Sequence, residues 1–517
     1  MIRLEFKKDL IIYIIGIFLF FTIAFLVKDI KFMQNDDWVY YKTVEKFIIG
    51  DYHLAEKIGV TFYTQGFLGS VFAYIFGIKN LPFLTLIISV GNFLLISLTL
   101  FKKFKIELST SVLIGLLLFF IPIHFYSVLG FMTENFVLFF ILLGIYFVNT
   151  FLEKKAALFF ICANIAFLAA FFVKQYAIVG FIAFVVILYT KRLYKYFYLG
   201  LIFTVSLNIY YWLYFPSTEI IENQSIRIMN LVDLNYIYSL VFVAGNYAVA
   251  MLIPLAYIYV FLNLKLKSKG DQILIVFGSV FFMFIFRLFF LKTGYPMDLF
   301  PYIGNSFDKK GFFPGDLTGN KYAWRGVFDV FKFWDYLSLF GVSALFITLI
   351  SKFNKRIFKD LSFELILFIL YFGLCLVSWN LYDRYLLPLI FIGSLILVKN
   401  IKNSFPKYSN YFIFLFVLFL AALDFQFGKD FVNWESYVWN KSLDLASDEK
   451  ISKSTISATR AWNKYYGNFN KLKYQFTFDS PGLVDNPNYE LIEVKDFSSS
   501  MNIFLNPKVY LYKVINE

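Results

Sequence analysis

Histidine and cysteine are nearly absent from this chain, with two of each among 517 residues, and charged residues make up only 16%. Cys162 and Cys375 both lie inside apolar runs and read as small buried hydrophobes, which argues against a disulfide framework or a cysteine metal site. His53 and His124 are not spaced as a metal-binding pair within one element, so no zinc site is expected. There is no Walker-type phosphate loop and no Gly-rich dinucleotide fingerprint. What the chain has in excess is apolar: 60% hydrophobic and 22% aromatic residues, with a mean hydropathy of +0.68. That composition is too apolar for a soluble fold and indicates an all-α polytopic membrane protein. The net charge of +13 comes from Lys and Arg in short clusters between apolar runs, the pattern of topology signals, so nucleic acid is not an expected partner.

The first apolar run, Leu10 to Val27, follows Arg3, Lys7 and Lys8, lacks a small-residue cleavage site, and reads as an uncleaved first span. Further runs at 82–101, 109–125, 132–151, 156–173, 176–189, 196–214, 238–262, 272–291, 335–350, 362–378, 385–398 and 411–427 bring the count to about thirteen spans. Basic clusters around Lys102, Lys154, Arg192, Lys267, Arg356 and Lys402 fall in every second loop, on the side of the N-terminus. The positive-inside rule then puts the N-terminus in the cytoplasm, and an odd span count puts the tail outside. The chain divides into a transmembrane domain, 1–427, and a small extracytoplasmic α/β domain, 428–517. The tail carries strand-like pieces at Tyr474–Phe478, Tyr489–Val494 and Val509–Val514, separated by turn signals, and is expected to pack over the outer loops.

The loops expected outside, at 28–81, 215–237 and 292–334, are long and rich in Gly, Pro and aromatics, and long structured loops are where function concentrates. The first contains two helix-like pieces, Trp38–Ile49 and Phe62–Phe76, suited to the membrane interface. The glycine-rich 294–325 segment is expected to be an irregular cover. At the start of the first loop stands Asn35-Asp36-Asp37-Trp38-Val39-Tyr40-Tyr41. Asn35 or Asp36 reads as a cap of the helix that follows, or the two adjacent carboxylates read as a catalytic base and its neighbour. Other ionisable residues sit at the expected outer ends of spans: Glu134, Lys174 beside Gln175, and Asp383-Arg384-Tyr385. Charges at such depth are usually paired or face a watery cavity. Their plain alternative is structural pairing, for example of Glu134 with Lys174, and Arg287 is expected to snorkel.

The order of Asn35-Asp36-Asp37-Trp38-Val39-Tyr40, Phe131-Met132-Thr133-Glu134, Val173-Lys174-Gln175 and Tyr382-Asp383-Arg384-Tyr385-Leu386-Leu387-Pro388 resembles the GT-C superfamily of polyprenyl-phosphate-dependent membrane glycosyltransferases. The likeness is to bacterial relatives of protein O-mannosyltransferases and of the lipid A aminoarabinose transferase, in a plasma (inner) membrane. Members often show Asp-Glu where this chain has Asp36-Asp37, which leaves the choice of base between those two open. Many also have a Pro pair where this chain reads Phe62-Tyr63-Thr64-Gln65-Gly66.

The resemblance implies transfer, with inversion, of a sugar from a polyprenyl-phosphate donor to a glycan, lipid or protein acceptor on the outer face. Asp36 or Asp37 would take the acceptor proton, while Lys174 and Arg384 would meet the donor phosphate. Glu134 and the second Asp would orient the acceptor, tune the base or hold a divalent cation; no dedicated metal site is expected. Trp38, Tyr40, Tyr41, Gln175 and Tyr385 would contact substrate. Two rivals stand beside this reading. One is a lipid or glycan flippase or transporter, disfavoured by the lack of an internal repeat. The other is an O-antigen polymerase or ligase, disfavoured by the scarcity of His in the outer loops.

Overall fold

In a computed structural model the structure describes residues 2–214, 227–265, 268–292, 304, 306–308, 311–313, 332–352, 361–378, 381–401, 405, 407–467, 471–478, 483, 486–497 and 508–515. The expected 294–325 cover lies outside these residues apart from 304, 306–308 and 311–313, and so does the Arg287 side chain. The apolar runs are helical. In order the helices are α1 Ile2–Val27, α2 Asp37–Ile48, α3 Tyr63–Phe76, α4 Leu81–Leu98, α5 Leu108–Phe119, α6 Pro122–Val128, α7 Thr133–Lys154, α8 Ala157–Phe171, α9 Ile178–Thr190 and α10 Tyr194–Tyr214. They continue with α11 Leu234–Met251, α12 Ile253–Lys265, α13 Lys269–Lys292, α14 Lys332–Lys352, α15 Phe363–Val377, α16 Leu387–Ile401, α17 Lys407–Asp448 and α18 Arg460–Tyr466.

Among the described residues, six helices are long and apolar enough to cross a membrane, or up to eight if each of two bent pairs is one span. Thirteen crossings are therefore not established. Two expected single spans are broken, α5 to α6 by 68° and α11 to α12 by 100°. Proline marks both breaks: Pro122 opens α6 and Pro254 is the second residue of α12, where a missing N–H is harmless but a continuing helix would lose a bond. Others are short. The 15 residues of α8 and of α15 reach only ~22 Å at ~1.5 Å per residue, less than a hydrocarbon core of ~30 Å.

α7 packs against α4 and α8, α15 against α9 and α16, and α17 against α5. α1 and α10 present bare apolar faces, with Phe18 and Phe25 each 69% exposed and Trp212 81%, as lipid-facing helices do. α3 likewise leaves Val71, Tyr74, Ile75 and Phe76 uncovered on one side, in keeping with an interfacial helix.

The expected domain division at 427–428 falls in the middle of α17, a single helix of 42 residues. At ~63 Å it is twice the thickness of a bilayer core, so its second half is the stalk of the C-terminal domain. That domain holds a four-stranded sheet of β3 Ile456–Ser457, β4 Tyr474–Thr477, β5 Tyr489–Asp496 and β6 Lys508–Val514, in the order β3-β4-β6-β5. β3 and β4 run parallel and the other pairs antiparallel. Val509 and Leu511 of β6 are buried, whereas β5 is the exposed edge, with most of its side chains in solvent. The stalk grips the sheet through Trp434 on Phe478 and through Glu493, which accepts from Tyr437 and pairs with Lys441.

Candidate functional site

The helices that start near the expected site residues end at the basic clusters. Thr133 and Glu134 open α7 and Lys154 closes it; Lys174 and Gln175 precede α9 and Lys191 follows it; Asp383 and Arg384 precede α16, whose last turn carries Lys399. One end of the bundle therefore gathers the motif residues, and the opposite end the lysines.

At the motif end four charged side chains from four separate segments meet. Arg384 Nη2 donates to Asp36 Oδ2 at 2.6 Å, and Arg384 Nε lies 3.4 Å from Glu134 Oε1. Lys174 Nζ donates to the same Glu134 oxygen at 2.7 Å. Glu134, Lys174 and Arg384 are almost sealed, at 1%, 4% and 7% side-chain exposure, while Asp36 remains 27% open. Asp36 is thus the part of the cluster most open to solvent. Arg384 Nη1 is buried and has no hydrogen-bond partner among the described residues. A buried guanidinium N–H without an acceptor is unfavourable.

Asp36 and Asp37 are adjacent but differently housed. Asn35 stands before them with φ +42°, a left-handed conformation that Asn tolerates better than most residues. Asp36 occupies the N-cap position of α2 but makes no capping bond, so the capping alternative is set aside: its carboxylate goes to Arg384. Asp37 is fully buried, and its Oδ2 accepts the backbone N–H groups of Phe131 at 2.8 Å and Gln34 at 3.1 Å. It fastens α2 to the turn before α7. The turn must be glycine at 130, because a Cβ there would lie 2.0 Å from Gln34 Oε1 and 2.7 Å from Asp37 Oδ2.

These surroundings separate the two acids electrostatically. Burial works against ionisation of Asp36, but the charges of Arg384 and Arg460 and the bond from Arg384 hold its carboxyl below the usual range. Burial pushes Asp37 up to about 8, against the two backbone N–H groups that it accepts. At neutral pH Asp36 is a carboxylate and Asp37 is mostly a neutral acid.

The aromatic residues expected on substrate are divided. Trp38, Tyr40 and Tyr41 are buried: Tyr40 stacks on Phe62 with ring centres 4.7 Å apart, Tyr41 meets Phe131 edge-on, and Trp38 lies under Lys42. The structure thus packs them into the core that holds the first loop in place. Tyr385 keeps an open side, with Lys174 Nζ 4.9 Å from its ring centre, and Tyr382 sits 5.0 Å from the Arg384 guanidinium. Gln175 is half-buried and donates to the Gly59 carbonyl, which ties the first loop to the break before α9. Sequence reasoning missed Gln34 and Gly130; the glycine immediately before the Phe131-Met132-Thr133-Glu134 motif was the available signal.

The C-terminal domain reaches this end as expected. α18 lies on α2, with Tyr465 donating to Glu45 and Lys42 held between the rings of Trp38 and Tyr465. Among the described residues no group of three His, Cys, Asp or Glu could hold a metal ion, and the Asp36 and Glu134 carboxylates are already matched by Arg384 and Lys174. The residues present do not fit the divalent cation expected as an option. No protein-family model matches the chain, and no curated protein matches it at significant similarity.

Proposed function

We propose that the chain is an integral-membrane glycosyltransferase that moves a sugar from a polyprenyl-phosphate donor to a glycan, lipid or protein acceptor. In this reading the chain is a multi-pass protein of a bacterial plasma membrane, with a cytoplasmic N-terminus and the motif end and C-terminal domain outside. The observation that carries it is the cluster itself: one reachable carboxylate, Asp36, bonded to an arginine with a buried N–H that no described residue accepts, with Lys174 alongside. That is a base next to an oxyanion site.

Asp36 takes the proton of the acceptor hydroxyl as its oxygen bonds to the anomeric carbon from the face opposite the phosphate. The bond from that carbon to the phosphate oxygen breaks, the electron pair leaves with polyprenyl phosphate, and the configuration inverts. A positioned base of this kind contributes roughly a hundred- to ten-thousand-fold. The planar guanidinium of Arg384 can keep Nη2 on Asp36 while Nη1 meets a phosphate oxygen, a fork that a lysine could not supply. Lys174 adds a point charge, and loss of one such donor in a dry site typically costs about a hundred- to thousand-fold. Tyr385 and Tyr382, rather than the buried Trp38, Tyr40 and Tyr41, are the rings available to a sugar.

The sharp bends at α5 to α6 and α11 to α12 favour a second reading, since transporters use interrupted helices around their substrate paths. Purified protein in proteoliposomes, given a panel of polyprenyl-phosphoryl sugars and source-membrane extract as acceptor, separates the two. The glycosyltransferase reading expects release of free polyprenyl phosphate. Movement of an intact donor between leaflets without that release would establish the transporter instead.

A further inference from the structure

Next to Arg384, Asp383 is completely buried and makes no ion pair among the described residues. Its carboxylate is filled from three directions. Oδ1 accepts the Arg384 backbone N–H at 2.7 Å and the Ser306 hydroxyl at 2.8 Å; Oδ2 accepts the Ser306 N–H at 2.8 Å. The Tyr247 hydroxyl of α11 lies 3.3 Å from Oδ2 and 3.2 Å from the Phe307 carbonyl. Ser306 leads into a tight hairpin of β1 Phe307–Asp308 and β2 Gly311–Phe312, in which Gly311 has φ +116°.

The hairpin is itself wedged in place. Phe307 and Phe312 both pack on Phe427 of α17, and Phe312 also meets Phe125 and Tyr126 of α6. Tyr126 in turn accepts Gln34 Nε2 on its carbonyl at 3.0 Å, and the Gln34 N–H goes to Asp37. Two routes therefore lead from one hairpin to the adjacent acids: Ser306 through Asp383 and Arg384 to Asp36, and Phe312 through Tyr126 and Gln34 to Asp37.

We propose that Asp383 is a positioning residue which, through its grip on Ser306 and the Phe307–Phe312 hairpin, fixes the Arg384 guanidinium against Asp36 and Glu134. Arg384 sits in a 3-10 turn, Asp383–Leu386, rather than in the body of a helix, so its main chain takes its aim from what holds that turn. A rigid carboxylate with four close donors is such a hold. A displacement of about 1 Å in a catalytic constellation can cost roughly a hundredfold in rate. The effect on rate rests on the glycosyltransferase reading; the mechanical link does not.

Hydrogen exchange followed by mass spectrometry, paired with donor turnover, tests both parts. Wild type is compared with Ser306→Ala, with Ser306→Thr, which keeps the hydroxyl, and with Asp383→Asn. Loss of one Asp383 bond in Ser306→Ala should speed exchange roughly two- to tenfold, not only at 306–313 but also at 34–41 and 130–134. Ser306→Thr should restore the wild-type pattern. Asp383→Asn should lower kcat about 10- to 100-fold with KM little changed. Exchange that spreads to 34–41 in a protein that consumes no donor would uphold the link and reject glycosyl transfer. Exchange confined to 306–313 in all variants would overturn the proposal, whatever the protein does with donors.

Discussion

Both ends of the helix bundle are tied by ion pairs, and the pairs are built on different principles. At the lysine end each cation meets one carboxylate: Lys102 with Asp9, Lys103 with Glu153, and Lys399 with Glu364, the last also accepting from Asn149. These pairs join α1, α7 and α15 to their neighbours. Charge is balanced locally, and Lys102 and Lys399 keep 37% and 34% of their side chains in solvent. At the motif end, by contrast, Glu134 is shared by two cations, Arg384 is shared by two carboxylates, and Arg384 Nη1 has no hydrogen-bond partner among the described residues. On the proposed function, that unmatched donor is the one a donor phosphate would meet.

The contrast predicts a steep gradient of sensitivity. Arg384→Ala leaves Asp36 and the sealed Glu134 short of a cation, and should destabilise the protein by about 3–5 kcal/mol in thermal or denaturant unfolding in detergent. Glu134→Gln in the same background should recover part of that loss; no recovery would mean that the two groups are not coupled. Gly130→Ala should cost about 1–3 kcal/mol, because a methyl group there must displace Gln34 or Asp37.

The pH dependence differs between the two acids. Asp37, raised from 3.8 to about 8 by burial, binds its proton more tightly folded than unfolded. Its contribution is full below the unfolded value and is lost as pH rises toward 8. Asp36, lowered from 3.8, stabilises above the unfolded value and loses that contribution as pH falls through its folded value. Unfolding measured from pH 4 to 8 should therefore show a flatter loss of stability with rising pH in Asp37→Asn than in wild type; an unchanged slope would show that Asp37 is ionised throughout. At the small end, Lys102→Met should change stability by less than about 1 kcal/mol, since the Lys102 end of the pair reaches solvent, and should leave donor turnover untouched. A large effect there would erase the distinction between staple and site.

Much of this was legible in the chain. Apolar runs located most of the helices, alternation located β4, β5 and β6, and depth in otherwise apolar stretches marked Glu134, Lys174 and Arg384 as unusual, with Glu134 and Lys174 named as a candidate pair; that Arg384 joins them and Asp36 was not foreseen. Three features were not legible, for identifiable reasons. Hydropathy sums over a window and so cannot register a bend, which hid the breaks at Pro122 and Pro254. It also cannot tell a ring packed on Phe62 from a ring open to solvent, so Tyr40 looked the same as Tyr385. The Ser306 grip on Asp383 joins positions 77 residues apart, and no local pattern announces it.

The most direct measurement of the central claim is single-turnover release of polyprenyl phosphate by wild type, Asp36→Asn and Asp37→Asn, once a consumed donor is identified. The account predicts a loss of roughly a hundred- to ten-thousand-fold for Asp36→Asn and a much smaller loss for Asp37→Asn, which keeps an oxygen for the Phe131 and Gln34 N–H groups. Equal turnover by Asp36→Asn and wild type, with the variant folded, would contradict it.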